Sequence, residues 1–224
     1  MAYRAVLFFN TVIKNRYLLR QFVIRDIKGR FAASVIGILW AFLSPLATMI
    51  SYIFVFSLVM RISISADETG TSQFSLFFLA GFFPWTLFSE SINKSSRVLI
   101  DNAGLITKVL FPTELLPVSS VLSSFLTGGI GFLIFLFYLS LHGFLHISWA
   151  LLPLLLMLLF VFALGIAFFI SALHVFLRDV GELLNILMML WFFGTPIIYP
   201  ASMLPDSLKM FLSCNPMLPF ISLF

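Results

Sequence analysis

Five apolar runs, 34–60, 74–92, 118–141, 149–174 and 183–199, dictate what this chain can fold into. A helix needs about 20 apolar residues to cross the ~30 Å hydrocarbon core of a bilayer. Inside that core no water satisfies backbone N–H and C=O groups, so such runs must close their hydrogen bonds as helices. Only 10% of the 224 residues are charged, against about 25% in a soluble domain. The reading is an all-α polytopic membrane protein: a single transmembrane domain over 1–224, with no soluble domain beside it. Residues 1–33 are expected to form an amphipathic interface helix, 34–199 five spans, and 200–224 segments of another kind.

Proline and glycine punctuate the runs. Pro45 sits in the middle of the first span, where Ser44 and Thr48 can satisfy freed carbonyls. Gly81 and Pro84 are expected to interrupt the second. Gly128, Gly129 and Gly131 give the third a small-residue spacing for close helix contact. They do not form a phosphate-binding loop. The fifth run breaks at Gly194–Thr195–Pro196. Prolines at 196, 200, 205, 216 and 219 rule out one continuous helix beyond it. Two short re-entrant segments, dipping into the membrane and sheltered by protein, fit that pattern.

The linkers are short. Arg61–Ser72 is a polar hairpin with Asp67 and Glu68. HGFLHIS is a tight turn whose His142 and His146 have a metal-pair spacing. Gly143 argues against a helix there and no third ligand lies near, so no metal is expected and the two read as interfacial histidines. Asp179 and Glu182 have the spacing of a capping box opening the fifth helix.

Charge orders the rest. Residues 1–30 carry Arg4, Lys14, Arg16, Arg20, Arg25, Lys28 and Arg30 against Asp26. On a helix, Leu18, Leu19, Phe22 and Val23 share one arc and the bases share the other, with Asp26 intruding on the apolar arc. Such a helix lies in the membrane plane; a plain positive flank is the alternative. Eleven of the thirteen Lys and Arg fall in the 1–33 flank, the 93–117 loop and the 175–182 turn. The positive-inside rule puts those segments and the N-terminus in the cytoplasm. Glu90 and Lys94, at i and i+4, can pair at the cytoplasmic end of the second span.

Arg97–Pro117 is too polar to span. Asp101 or Asn102 can cap a helix of about two turns, which Pro112 should stop at or before Phe111. Leu105, Ile106, Val109, Leu110 and Phe111 offer it an apolar face, beside Lys108 and Glu114. Such a helix either seats a partner or rests on headgroups.

Several classes drop out. Aromatics do not interleave with a basic patch, so no nucleic acid is expected. The single Cys214 allows no internal disulfide. The long basic lead does not suit a cleavable signal peptide. A membrane enzyme would need an ionisable cluster at a defined depth, yet the histidines lie at span ends and no acidic pair lies inside a run. An enzyme acting on a lipid-linked substrate stands as the alternative function, and a passive channel or scaffold as a third.

Four motifs, in order, resemble the permease subunits of ABC-2 type exporters of polysaccharide, which move O-antigen, capsule or teichoic acid. RDIKGRFAASVIGILWAFLSPL is similar to their segment joining interface helix and first span, with Phe31 where Tyr is more usual. GFFPWTLF resembles their second span, and LITKVLFPTELLPV their cytoplasmic coupling loop. FLRDVGELLNILMMLWFFGTPIIYP resembles their fourth loop and fifth span, which lead into periplasmic re-entrant segments.

The resemblance implies a homodimer in the bacterial inner membrane, serving a polymer on an undecaprenyl diphosphate carrier. Two copies of a separate ATPase would hold ATP and Mg, leaving this chain without a cofactor of its own. The ATPase seat is expected at Leu105, Ile106, Lys108, Val109, Phe111, Pro112 and Glu114. Arg25, Lys28 and Arg30 are expected to meet the carrier's diphosphate, because Arg engages phosphate oxygens in bidentate fashion. Trp40, Tyr52, Phe56, Trp191, Phe192 and Tyr199 are expected to line the passage, since rigid rings suit sugar C–H faces and their OH and NH edges suit hydroxyls. The family has six spans. This chain stops at Phe224 within an apolar run and is expected to lack about one of them.

Overall fold

A computed structural model describes residues 8, 10–32, 34–65, 70–144 and 147–223. Arg4, Asp67, Glu68 and His146 lie outside those residues. Among the described residues the helices that carry the site are α1 Arg16–Phe31, α2 Trp40–Ile53, α3 Phe74–Asp101, α4 Ala103–Lys108, α5 Leu115–Leu141, α6 Leu152–Phe176, α7 Val180–Phe193, α8 Asp206–Ser213 and α9 Leu218–Leu223. A π-helical stretch, Phe54–Val59, prolongs α2. Among the described residues the extended pairing is one isolated bridge, Ser63 to Gln73, at the base of the hairpin. The all-α expectation holds.

Among the described residues, four helical stretches are long and apolar enough to cross a membrane: Gly37–Val59, Phe74–Asp101, Leu115–Leu141 and Trp149–Phe176. The fifth run forms α7, which has 14 residues and is therefore about 21 Å long. It ends at Gly194, where the sequence breaks.

Helix α3 is the axis of the bundle. Its apolar window is 67% buried, whereas that of the first span is 6% buried. The spacing of its aromatics explains the difference. Phe74, Phe78 and Phe82 recur every four residues and meet Tyr52 and Phe56 of the first span, at centroid distances of 4.6 to 5.3 Å. Trp85 and Phe88 meet Trp191 of α7 at 6.0 and 5.3 Å. Phe88 also stacks on Phe162 of α6 at 5.5 Å.

The expected break at Gly81 and Pro84 does not occur: α3 runs through both. Pro84 lacks an N–H and leaves a carbonyl without its helical donor, while Thr86 donates to the Phe83 carbonyl at 2.8 Å. Gly81 is a packing notch. A Cβ there would lie 3.3 Å from the Ile221 side chain and 3.4 Å from that of Ile197. The helix also continues to Asp101, so Arg97–Asp101 belongs to α3 rather than to a loop. In the first span, Thr48 donates to the Ser44 carbonyl at 2.9 Å.

Two of the three glycines of α5 make close contacts. A Cβ on Gly128 would meet Leu87 at 2.8 Å, and one on Gly131 would meet Pro45 at 2.7 Å and Phe83 at 3.0 Å. Gly129 faces open space. Below them Ser119, Ser120, Ser123 and Ser124 are buried, as are Ser91, Ser95 and Ser96 of α3. Small side chains let these two helices approach closely.

The capping box at Asp179 does not form. Asp179 makes no side-chain cap bond, and Glu182 instead reaches Arg97 at 3.3 Å. An ionic partner one helix away outcompetes the local backbone bond.

Beyond α7 the chain is fastened by Asn215. Its carbonyl oxygen accepts from Trp191 Nε1 at 2.8 Å and from the Met217 N–H at 2.9 Å. Its amide donates to the Gly194 carbonyl at 3.2 Å and to Thr195 Oγ1 at 2.9 Å. Met217 and Ile197 are then fully buried, and Phe220 stacks on Phe162 at 5.5 Å.

The glycines give a paired test. Gly131→Ala forces the first span off α5 and should cost about 1–3 kcal/mol through overpacking. Gly129→Ala should be neutral or mildly stabilising, because alanine is the better helix former. Thermal denaturation of the detergent-solubilised protein reads both, and equal melting temperatures for the two variants would contradict the packing described.

Candidate functional site at the charged end of the bundle

The charged end is built by α1 lying across α3 and α5. The apolar arc read from the sequence is buried against protein: Phe22 and Val23 are 6% and 5% exposed. Phe22 clusters with Val98, Leu115 and Leu116, and Leu105, Ile106 and Phe111 pack against that cluster. The Phe22 and Phe111 rings are 5.7 Å apart. Arg25 lies over the Phe22 ring at 5.1 Å and donates to Asn102 Oδ1 at 2.8 Å.

Asn102 stands at the start of α4, where its carbonyl accepts from the Leu105 and Ile106 N–H groups at 3.0 Å, but its side chain makes no cap bond. Its amide turns back to donate to the Val98 carbonyl at 2.8 Å, closing the end of α3. Helix α4 is consequently six residues long, shorter than the two turns expected.

Two ion pairs hold α1 to α3. Lys94 Nζ lies 3.4 Å from Asp26 Oδ2 and donates to Ser123 Oγ at 2.7 Å. Arg30 pairs with Glu90 and donates to Thr127 Oγ1 at 3.3 Å. Glu90 and Lys94 therefore do not pair with each other. They share one face of α3, as their spacing requires, but each takes its partner from the opposite-running α1. Asp26 intrudes on the apolar arc because that arc faces α3 and α5, where Lys94 and Ser123 wait for it.

The expected diphosphate cluster is thus partly engaged. Arg25 and Arg30 are held by Asn102 and Glu90, while Lys28 is exposed and makes no polar contact among the described residues. A guanidinium has five N–H donors, so both arginines keep capacity for a further acceptor.

The expected partner seat is divided. Leu105, Ile106 and Phe111 turn inward onto α1, and Pro112 is half-buried. Lys108 and Glu114 are exposed, as are Val109 and Leu110 at 51% and 104%. The single apolar face expected of this loop is really two, one spent on the protein's own interface helix.

The rings expected to line a passage lie mostly between helices. Tyr52 and Phe56 pack on α3, as do Trp191 and Phe192 from its other side. Tyr199 donates its hydroxyl to the Phe193 carbonyl at 2.9 Å. Trp40 differs: it is 44% exposed and borders a cleft of about 410 Å³ between α1, α2, α3 and α5, which Arg30 and Glu90 also line. A larger cleft of about 1070 Å³ lies at the opposite end, among Phe77, Phe144, Trp149, Pro196 and Ile221.

With this geometry described, sequence relationships become informative. Residues 17–224 match the ABC-2 type transporter family. The chain belongs to that family. It is 31% identical over 214 residues to the O-antigen export system permease protein RfbA of Myxococcus xanthus, an overlap of 92% of this chain and 78% of that protein. A Klebsiella pneumoniae protein of the same description is 32% identical over 204 residues, 88% of this chain and 74% of its own length. The polysialic acid transport protein KpsM of Escherichia coli is 24% identical over 209 residues, 89% and 76% of the two chains.

For this ABC-2 type chain, sequence reasoning named Asp26, Glu90 and Lys94 without joining them correctly. The signal was present: a lone acid on an apolar arc demands a basic partner on whatever that arc packs against. Asn215 gave no such signal.

Charge exchange tests the clamp. Asp26→Lys should lower stability by about 1–2 kcal/mol, less than a fully buried pair would cost, because Lys94 is 33% exposed and Asp26 19%. Adding Lys94→Asp should recover most of the loss. A double variant no more stable than Asp26→Lys alone, by detergent melting curves, would show that the two do not pair.

Proposed function

We propose that this chain is the permease subunit of an ATP-driven exporter carrying a lipid-linked, O-antigen-like polysaccharide across the bacterial inner membrane. Two copies form the membrane passage, with the charged end in the cytoplasm. Two copies of a separate ATPase bind there and hold ATP and Mg. The descriptions of the relatives support this reading, and so does the eleven-to-two distribution of Lys and Arg.

The observation that carries it is the construction of the coupling loop. Its inner face is clamped on α1 through Phe111, Leu105 and the Arg25–Asn102 bond. Its outer face offers Val109 and Leu110 beside Lys108. A fully exposed leucine on a braced loop suits insertion into a partner's apolar pocket, with the charged rim setting orientation. Force applied to the loop reaches α1 directly, and through the two ion pairs it reaches α3.

The carrier's diphosphate meets Lys28 first, with Arg25 and Arg30 offering their remaining donors. The polymer moves along the exposed side of the first span, where Trp40, Phe42 and Phe54 stand outward. Tyr52, Phe56, Trp191, Phe192 and Tyr199 back that wall. The segments after α7 form re-entrant elements at the outer mouth.

Substitution separates the two faces of the loop. Val109→Asp and Leu110→Asp should lose the ATPase on co-purification while leaving insertion and melting unchanged, since a charge at an apolar seat is desolvated without a partner. Phe111→Asp should instead lower the permease's own stability. If both outer variants retain the ATPase at wild-type yield, this loop is not the seat.

A further inference from the structure

The cleft beside Trp40 has a composition that the clamp does not explain. Every element around it contributes polar atoms: Arg30 from α1 and Ser34 from the linker after it, Ser44 and Thr48 one turn apart on α2, Thr86 and Glu90 one turn apart on α3, and Thr127 from α5. Polar groups on otherwise apolar helices are costly at membrane depth and mark sites of use. The hydroxyls divide their roles. Thr48, Thr86 and Thr127 each commit the hydroxyl proton to a carbonyl of their own helix, at 2.9, 2.8 and 2.9 Å. The Thr48 and Thr86 oxygens remain as acceptors, Thr127 already accepts from Arg30 at 3.3 Å, and Ser34, which accepts from the Gly37 N–H at 3.3 Å, keeps its proton to donate. Glu90 is an acceptor as well, and Arg30 supplies further donors.

We propose that this cleft binds one neutral pyranose unit, as a carbohydrate subsite inside a single protomer that opens beside the exposed side of the first span. A ligand that fits must both donate and accept hydrogen bonds, and a sugar's hydroxyls do both. A diphosphate only accepts, and would face the Glu90 carboxylate. The lining charges, Arg30 and Glu90, cancel, which favours an uncharged ligand. Adjacent sugar hydroxyls can bridge the carboxylate and the guanidinium without separating them. The half-exposed Trp40 ring offers a flat surface for the C–H face of the sugar. The volume of about 410 Å³ lies within the roughly 300–1,000 Å³ of small-molecule sites. The exporter reading enters only as the source of the sugar, a unit of the exported chain.

The test uses the full chain in lipid nanodiscs without any ATPase, so its outcome is independent of transport. Saturation-transfer NMR is recorded with D-glucose, D-galactose, D-mannose and L-rhamnose, and with pyrophosphate and glycerophosphoethanolamine as competing probes. At least one hexose should give saturable ring-proton signals that neither competitor displaces. Trp40→Leu and Thr86→Val, which both leave the Arg30–Glu90 pair in place, should each weaken binding by about tenfold, the scale of one lost contact. Absence of saturable binding by all four sugars overturns the proposal, as does binding unchanged in both variants. Displacement by glycerophosphoethanolamine overturns it in favour of a lipid headgroup, and displacement by pyrophosphate in favour of an anion site.

Discussion

The two ion pairs between α1 and α3 set the arrangement of the whole charged end. Asp26–Lys94 and Arg30–Glu90 set the register of the interface helix along α3. With them in place the apolar arc of α1 faces α5 and the 102–117 loop, and Phe22 meets Phe111. Each pair is supported by a hydroxyl of α5, Ser123 or Thr127. Partly buried charges are tolerated because each keeps a counter-charge and a neutral hydrogen-bond partner. An amphipathic helix that sequence alone lays on lipid is here laid on protein, with its basic residues left outward.

The same logic of spent and unspent faces runs through the bundle. Helix α3 spends its aromatic rows on the first span and on α7, where Tyr52, Phe56, Trp191 and Phe192 pack against it. The first span, only 6% buried in its window, keeps most of its apolar surface outward. That surface requires lipid, a second copy or cargo to cover it. The returning segment after α7 is the converse case. It is held by Asn215 and by the space that Gly81 leaves for Ile221 and Ile197.

Much of this was legible in the sequence, and the rest failed for definable reasons. Span positions followed from hydropathy, because the bilayer constraint acts on each segment alone. The close approaches at Gly128 and Gly131 followed from spacing, but Gly129 could not be told from them without knowing which face turns inward. Local rules failed where a tertiary partner competed. Glu182 left its capping box for Arg97, Glu90 and Lys94 left each other for α1, and the Asn102 side chain turned back to α3 instead of capping α4. Pro84 read as a break, yet α3 runs through it. The hydroxyls around the Trp40 cleft were each visible, yet they sit on four elements far apart in sequence.

The central claim is that α1 and the 102–117 loop act as one body, so that a force exerted on the loop by the proposed ATPase would be exerted on α1. Cysteines at Arg25 and Asn102, in a Cys214→Ser background, can be joined by a short, reducible bis-thiosulfonate reagent. Polymer export by the complex is then measured before joining, after joining and after reduction. The account predicts that export continues at a near-normal rate while the two are joined. Export that stops on joining and returns on reduction would mean that the loop must part from α1 during transport, and would contradict it.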